Sequence, residues 1–97
     1  MKIVWSPLAL ERVEEIAAYI ARDNPDAAVR WVEELFDRVD QLNAYPASGR
    51  VVPEIGVSRI REIAHGAYRV LYSVSTKVEI LTVRRGSQIL RDHDVGE

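Results

Sequence analysis

Four arginines form the pattern in this sequence that is most suggestive of chemistry. Three consecutive strand-like segments between residues 59 and 86 carry them: Arg61, Arg69, Arg84 and Arg85. Neighbouring antiparallel strands lie about 5 Å apart, so guanidinium groups on one face of such a sheet could converge on a phosphate. A cluster of this kind can bind RNA backbone. It can also stabilise the transition state of phosphodiester cleavage if a base and an acid stand beside it.

Glu62 and His65 are the nearby candidates for that base and acid. Successive side chains of a strand point to opposite faces of the sheet, so Glu62 faces away from Arg61 and His65. The sequence therefore does not show a clear acid–base pair next to the arginines.

The sequence lacks the residues that most other kinds of catalytic site require. The chain has no cysteine, no glycine-rich phosphate loop and no His-x-x-x-His pair, and its only histidines are His65 and His93. A metal site and a cofactor site are therefore not expected. No serine lies in a nucleophile-elbow signature, which argues against serine hydrolase chemistry.

The net charge of −2 conceals a strong asymmetry along the chain. Residues 1–57 have a net charge of −4, residues 58–86 have +4, and the last eleven have −2. Such segregation suits a surface that meets an anionic partner, either nucleic acid or an acidic protein segment. The alternative is that the arginines simply solvate the outer face of a sheet.

Length and composition predict one soluble domain. The 97 residues are 47% hydrophobic and 29% charged, and no apolar run approaches the roughly 20 residues of a membrane span. We expect no secretory signal, because residues 1–2 lead directly into a strand and then a polar helix. The absence of cysteine excludes a disulfide framework and makes a cytoplasmic location the simplest expectation.

The order of elements can be predicted from local signals. A short strand at residues 2–5 ends at Ser6-Pro7, and Asn24-Pro25 repeats this combination of a capping side chain and proline. Each pair predicts the start of a helix, so the two apolar stripes that follow form an αα-hairpin. Residues 43–57 then predict a long loop, before three strands close the fold.

The faces of the last strands follow from alternation. In the middle strand, Arg69 points away from the face that Tyr68, Val70 and Tyr72 share. In the last strand, one face is predicted to carry Val78, Ile80, Thr82 and Arg84, and the other Glu79, Leu81, Val83 and Arg85. The first of the three strands has Ile60 and Ile63 out of phase, which suggests a bulge or an edge strand.

Several of these segments together resemble the RelE/ParE toxins of bacterial type II toxin–antitoxin modules. The resemblance covers nearly the whole chain and is carried by these segments in this order: Trp5-Ser6-Pro7, Asn24-Pro25, Tyr45-Pro46-Ala47-Ser48-Gly49-Arg50, Arg61-Glu62, Tyr68-Arg69-Val70-Leu71-Tyr72 and Ile80-Leu81-Thr82-Val83-Arg84. It implies one toxin domain over residues 1–97, with an α+β fold of order β-α-α-β-β-β. In that fold a helical hairpin packs on a twisted, mainly antiparallel sheet.

The resemblance also implies a protein partner and a cellular effect. A cognate antitoxin would cover the toxin in a hetero-oligomer, and the uncomplexed toxin would arrest growth and contribute to plasmid stabilisation. An acidic or amphipathic antitoxin would match the basic sheet electrostatically.

The family divides by target. RelE-like members cleave mRNA in the ribosomal A site, and the residues matching that activity here would be Arg69, Arg84, Arg85 and Glu62, with His93 as a further candidate. The paired lysines of those nucleases are missing, however, and no tyrosine follows Tyr72. ParE-like members instead inhibit DNA gyrase without nuclease residues.

The Ser-Pro opening, the Asn-Pro between helices and the P-x-x-G-R loop favour the ParE branch. This interpretation leaves the chain without catalytic residues. Arg61, Arg69, Arg84 and Arg85 then become candidates for contacts with the target or the antitoxin. The endoribonuclease remains the alternative hypothesis.

Overall fold

The structure, a computed structural model, describes residues 1–86. Its elements, in chain order, are β1 (Ile3–Trp5), α1 (Pro7–Ala21), α2 (Pro25–Asp40), a 3₁₀ turn (Gln41–Asn43), β2 (Arg50–Val51), β3 (Ile60–His65), β4 (Tyr68–Val74) and β5 (Val78–Arg85). Residues 87–97 lie outside the described part of the chain. His93 and the tail of residues 87–95, which the sequence allows as one helical turn or a polar extension, are therefore not described.

Both helices begin where the capping signals predict. The Ser6 side chain accepts a hydrogen bond from the Ala9 N–H at 3.0 Å, and Asn24 Oδ1 accepts one from the Ala27 N–H at 3.0 Å. A proline follows each cap at the first helical position, where no amide hydrogen is needed. The two helices pack against each other as the predicted hairpin.

The sheet has five strands in the order β1-β5-β4-β3-β2. β1 runs parallel to β5, and the other neighbours are antiparallel, which confirms the predicted α+β fold with a mainly antiparallel sheet. One strand was not predicted. Within the expected loop of residues 43–57, Arg50 pairs with Glu62 and Val51 with Arg61, which adds β2 at the edge.

Apolar residues are buried on both sides of the sheet. On one side the helices contribute Leu35 and Val39 to a core that includes Val70 and Tyr72. A smaller cluster covers the opposite side; it consists of Val52, Ile60, Leu71 and Leu81, with Ile55 packed against it. The segment from Val52 onward therefore covers the side of the sheet that the helices leave open.

These two layers correct the predicted position of the bulge. Ile60 and Ile63 are out of phase because each is buried in a different layer, so β3 pairs with β4 in continuous register. The irregularity lies instead between β4 and β5. Leu71 pairs with Thr82 while the next residue, Tyr72, pairs with Ile80, which leaves Leu81 as the additional residue of β5.

The bulge also corrects the predicted faces of β5. Beyond Leu81 the alternation is reversed, so Val83 lies on the helix side together with Ile80. Arg85 follows Val83 to the helix side, whereas Thr82 and Arg84 lie on the opposite side. Because of this one inserted residue, Arg84 and Arg85 each lie on the face of the sheet opposite to the one predicted for it.

Tyr72 connects the loop to the sheet. Its ring is fully buried in the core of the helix side, and its hydroxyl accepts a hydrogen bond from the Gly49 N–H and donates one to the Pro46 carbonyl, both at 2.9 Å. A Cβ atom at position 49 would lie 2.5 Å from the Tyr72 hydroxyl and 2.6 Å from the Glu62 carbonyl oxygen. Glycine is therefore required at position 49 by close approach of the backbone.

Replacing Tyr72 by phenylalanine tests this connection. We expect Tyr72→Phe to lower the free energy of unfolding by about 1–3 kcal/mol at pH 7, because the Gly49 N–H and the Pro46 carbonyl lose their partner. Denaturant unfolding followed by tryptophan fluorescence measures the change. Tyr45→Phe is the matched control, since Tyr45 is 69% exposed. Equal effects of the two substitutions would contradict the assignment.

Alkaline pH gives a second readout of the same hydroxyl. Burial raises the pKa of Tyr72, while its contacts with Gly49, Arg61 and Ser48 oppose that change. A raised pKa means that the neutral hydroxyl stabilises the fold below the unfolded pKa of about 10, and that this contribution is lost as pH rises through the folded value. The stability difference between wild type and Tyr72→Phe should therefore narrow above pH 10.

Candidate functional site

The four arginines singled out by sequence do not share one face of the sheet. Arg69 and Arg84 are cross-strand partners on the side opposite the helices. Arg61 pairs across the sheet with a tyrosine of the helix-side core, and Arg85 pairs with Tyr68, which packs against that core. Because directly paired residues project to the same face, the set divides into two pairs. The structure therefore does not bring all four guanidinium groups to one face of the sheet.

Arg69 lies at the centre of a charged network on the face opposite the helices. Its NH2 group donates to Glu54 Oε2 at 2.6 Å, and its NH1 group donates to Glu62 Oε1 at 3.0 Å. The other oxygen of Glu62 accepts from Arg50 Nε at 2.6 Å. Two arginines and two glutamates thus alternate in one chain of contacts, which we call the Arg50–Glu54 network; its members are Arg50, Glu62, Arg69 and Glu54.

Burial distinguishes the inner and outer members of this network. The side chains of Glu62 and Arg69 are 4% and 10% exposed, whereas those of Arg50 and Glu54 are 68% and 40% exposed. Glu62 and Arg69 therefore lose contact with water and form an ion pair with each other inside the protein. Arg50 and Glu54 provide their second ion-pair partners at the surface. With both of its oxygens in ion pairs, Glu62 is not placed to act as a general base.

The network holds its outer carboxylate in the ionised form. The hydrogen bond from Arg69 lowers the pKa of Glu54 below its usual value, and this effect exceeds the opposing effect of burial. In return, the hydrogen bond to Glu54 raises the pKa of Arg69, against desolvation and with further support from Glu62. Arg69 and Glu54 are thus charged at neutral pH and already engaged with each other.

The remaining two candidates have different surroundings. Arg61 NH1 donates to the Gly49 carbonyl at 2.9 Å and lies 3.4 Å from the Ala47 carbonyl, so it fastens the loop before β2. The Arg85 guanidinium lies 5.9 Å from the centre of the Tyr68 ring, and the hydrogen bond that Arg85 donates to the hydroxyl of this tyrosine is the main cause of a raised pKa of Arg85. Arg61 therefore has a structural contact in the chain, and Arg85 lies on an aromatic surface.

His65 is separated from Glu62, as alternation predicts. His65 Nε2 lies 3.2 Å from the Trp31 carbonyl oxygen, and the two rings are 5.7 Å apart. The histidine thus packs on the helix side, whereas Glu62 lies in the Arg50–Glu54 network on the other side. Glu62 and His65 therefore lie on opposite faces of the sheet.

Glu54 is the residue of this site that the sequence analysis missed. It lies in the predicted loop of residues 43–57 and is the only carboxylate there. A single carboxylate among mostly apolar and small residues was the one feature of the sequence that could have indicated a role for Glu54. The contact with Arg69 joins residues 15 positions apart and depends on how the loop folds over the sheet.

Within residues 1–86, no three histidine, cysteine, aspartate or glutamate side chains come close enough to hold a metal ion. In the same range, no helix is both long and apolar enough to span a membrane.

A family model described as the ParE toxin of the type II toxin–antitoxin system parDE matches residues 3–90. The chain belongs to the ParE toxin family. A curated relative from Sinorhizobium fredii, provisionally named toxin Y4kP, is 45% identical over 87 residues, which are 90% of either chain.

A solved structure supports the fold of this ParE-family protein. The structure of the chromosomal ParDE toxin–antitoxin system from P. aeruginosa superposes with a TM-score of 0.72 at 20% sequence identity. The alignment covers 88% of this chain and 95% of the solved chain. The family model and the curated relative confirm the predicted membership of the RelE/ParE superfamily and of its ParE branch, and the superposition confirms the fold.

Removing the Arg69 side chain should destabilise this toxin strongly. Arg69→Ala leaves the buried Glu62 carboxylate with Arg50 alone, and we expect a loss of about 3 kcal/mol in the free energy of unfolding. Arg30→Ala, at an exposed position on α2, should change it by less than about 0.5 kcal/mol. Chemical denaturation of both variants measures the difference, and a cost below about 1 kcal/mol for Arg69→Ala would refute a structural role of the network.

Acid titration should reveal the contribution of Glu54. Because its pKa is lowered in the folded state, its ionised form stabilises the fold above the unfolded pKa of about 4.3, and this contribution is lost as pH falls through the folded value. Glu54→Gln should therefore be less stable than wild type at pH 7 and should converge with it below about pH 4. The side chain is 40% exposed, so we expect an effect below about 1 kcal/mol.

Glu33→Gln provides the control for this titration, because it removes an exposed carboxylate from α2. Its stability should follow that of wild type across the acid range. A constant difference between Glu54→Gln and wild type from pH 7 to pH 3 would show that the Glu54 charge has no part in the effect.

Proposed function

We propose that this ParE-type toxin arrests growth by inhibiting DNA gyrase in the cytoplasm and that a cognate antitoxin neutralises it. Membership of the ParE family gives the class of protein, and the parDE description names a toxin–antitoxin pair. The geometry of the arginines bears on the choice of target.

The observation that favours gyrase over mRNA as the target is that the residues an endoribonuclease would need are already buried or ion-paired. Arg69 and Glu62 are buried and ion-paired with each other, and Glu54 and Arg50 each supply one of them with a second ion-pair partner. Arg85 lies on the other face of the sheet from Arg69. A phosphate held by this set would require the network to break, whereas inhibition by protein binding leaves it intact.

A supercoiling assay with purified gyrase tests the proposal. The full-length toxin should stop the introduction of negative supercoils into relaxed plasmid DNA, and preincubation with the cognate antitoxin should restore the activity. Treatment with detergent and protease should release linear plasmid if the toxin traps gyrase on cleaved DNA. Normal supercoiling at a large molar excess of toxin would rule gyrase out as the target.

The endoribonuclease alternative has a separate readout. Primer extension on mRNA translated in the presence of the toxin should give a full-length product with no new stops. Toxin-dependent cuts within codons in the ribosomal A site would replace the gyrase proposal with the nuclease one. Both assays use the same purified toxin, so its folding can be checked once by circular dichroism.

A further inference from the structure

A short segment between β2 and β3 lies over the face of the sheet that the helices leave open. It comprises residues 53–58, and we call it the strap. Both of its ends are fixed: the Val52 N–H donates to the Ile60 carbonyl at 3.2 Å, and the Arg59 carbonyl accepts from the Val74 N–H at 2.9 Å. Val52 and Ile60 are also buried in the smaller apolar cluster. The strap is therefore a loop between two anchored positions.

The backbone of the strap bonds to itself and to its ends. The Ile55 and Gly56 N–H groups both donate to the Val52 carbonyl, at 3.1 and 2.8 Å, and the Val57 carbonyl accepts from the Ile60 N–H at 2.9 Å. Among the described residues, no backbone hydrogen bond connects the strap to β4, β5 or a helix. Backbone hydrogen bonds therefore close this turn without attaching it to the middle of the sheet.

Two side chains attach the strap to the sheet. Glu54 binds Arg69 at 2.6 Å, and the half-buried Ile55 packs against the smaller apolar cluster. The other residues of the strap are exposed. If Glu54 leaves, Arg69 keeps its bond to Glu62 at 3.0 Å, so no buried charge loses its last partner. Ion pairs that reach the surface in this way contribute little to stability, so the strap is weakly held.

We propose that the strap opens as a unit while the five-stranded sheet stays folded, and that this opening gives proteases access to the folded toxin. Glu54 and Ile55 leave the sheet together, whereas Val52 and Ile60 stay buried at the two ends. Opening exposes Arg69 and the apolar cluster on which Ile55 packs. Segments with few buried apolar contacts and exposed backbone hydrogen bonds open in this way without global unfolding. The inference does not depend on the identity of the target.

Gly56 offers a way to favour the open strap without removing a side-chain contact. Its φ is +69°, a left-handed conformation that strains most residues with a side chain, and a Cβ atom there would meet no heavy atom within 4 Å. Gly66, in the turn between β3 and β4, has a φ of +60° and equally open surroundings. Gly56→Ala therefore strains the closed strap, and Gly66→Ala applies the same kind of strain outside it.

Amide hydrogen exchange compares these two variants in the full-length toxin at pH 7. The reporter is the Ile55 N–H, whose intrinsic exchange rate depends on residues 54 and 55 and is unchanged by either substitution. Gly56→Ala should raise its exchange rate at least about fivefold, because opening relieves the strain. Gly66→Ala should stay within about twofold of wild type, because the open state keeps the strained turn.

An equal increase in both variants would overturn the proposal, because it would show that the Ile55 N–H exchanges only when the whole toxin unfolds. An unchanged rate in Gly56→Ala would overturn it as well.

Glu54→Gln provides a second measurement that leaves the backbone of the strap unchanged. It removes the charge that binds Arg69, and the exchange rate of the Gly56 N–H at pH 7 should rise about twofold to fivefold. Glu33→Gln removes an exposed carboxylate from α2 and should leave that rate at the wild-type value. Equal rates in the two variants would show that Glu54 does not hold the strap.

Limited proteolysis under native conditions tests the consequence for protease access. Cleavage follows the population of the open form when opening and closing are fast, so cuts within residues 53–58 should form at least about three times faster in Gly56→Ala than in wild type. Gly66→Ala should match wild type, and mass spectrometry of the fragments locates the cuts. Equal acceleration in both variants, or no cut within the strap before the folded toxin is lost, would refute the proposal.

Discussion

The ion pair between Glu62 and Arg69 is the constraint around which one side of this toxin is built. A carboxylate and a guanidinium that leave water are tolerated only when each finds partners of opposite charge with good geometry. Glu62 obtains its second partner from β2 and Arg69 obtains its second partner from the loop that follows β2. The network therefore fixes a loop that has little regular structure onto the sheet. Without these contacts, a buried charge would remain uncompensated.

The same loop is held from the other side of the sheet by Tyr72. Its hydroxyl binds the loop at Pro46 and Gly49, just before the backbone enters β2. Residues after β2 then cross over the opposite face, where Val52 joins a second apolar cluster. As a result the sheet is covered by helices on one face and partly by a loop on the other. The sheet arginines are divided between its two faces, and Arg69 is buried under the loop, which explains why a basic block in the sequence does not form one phosphate-binding surface.

Local signals in the sequence were sufficient for the helices and for the face of β4. Side chains at Ser6 and Asn24 cap the helices through contacts only three residues away, and alternation along β4 depends on no other segment. The missed features all depend on contacts between distant segments. β2 exists because Arg50 meets Glu62, and the bulge at Leu81 exists because β5 must bury apolar residues on both sides of the sheet. Two-residue strands and bulges leave no local pattern strong enough to predict them.

The motifs that identified the family mainly stabilise the fold, because their residues contact one another. Gly49 of the P-x-x-G-R loop contacts Tyr72 of the Y-R-V-x-Y strand, and Arg50 of that loop binds Glu62, which in turn binds Arg69. Residues that satisfy one another in this way specify how the loop and sheet assemble. They carry little information about the molecule that the toxin inhibits, because one fold can support different targets. Recognition of other molecules must then depend on side chains outside these contacts, and the exposed Tyr19 on α1 and Arg85 at the end of β5 are such side chains.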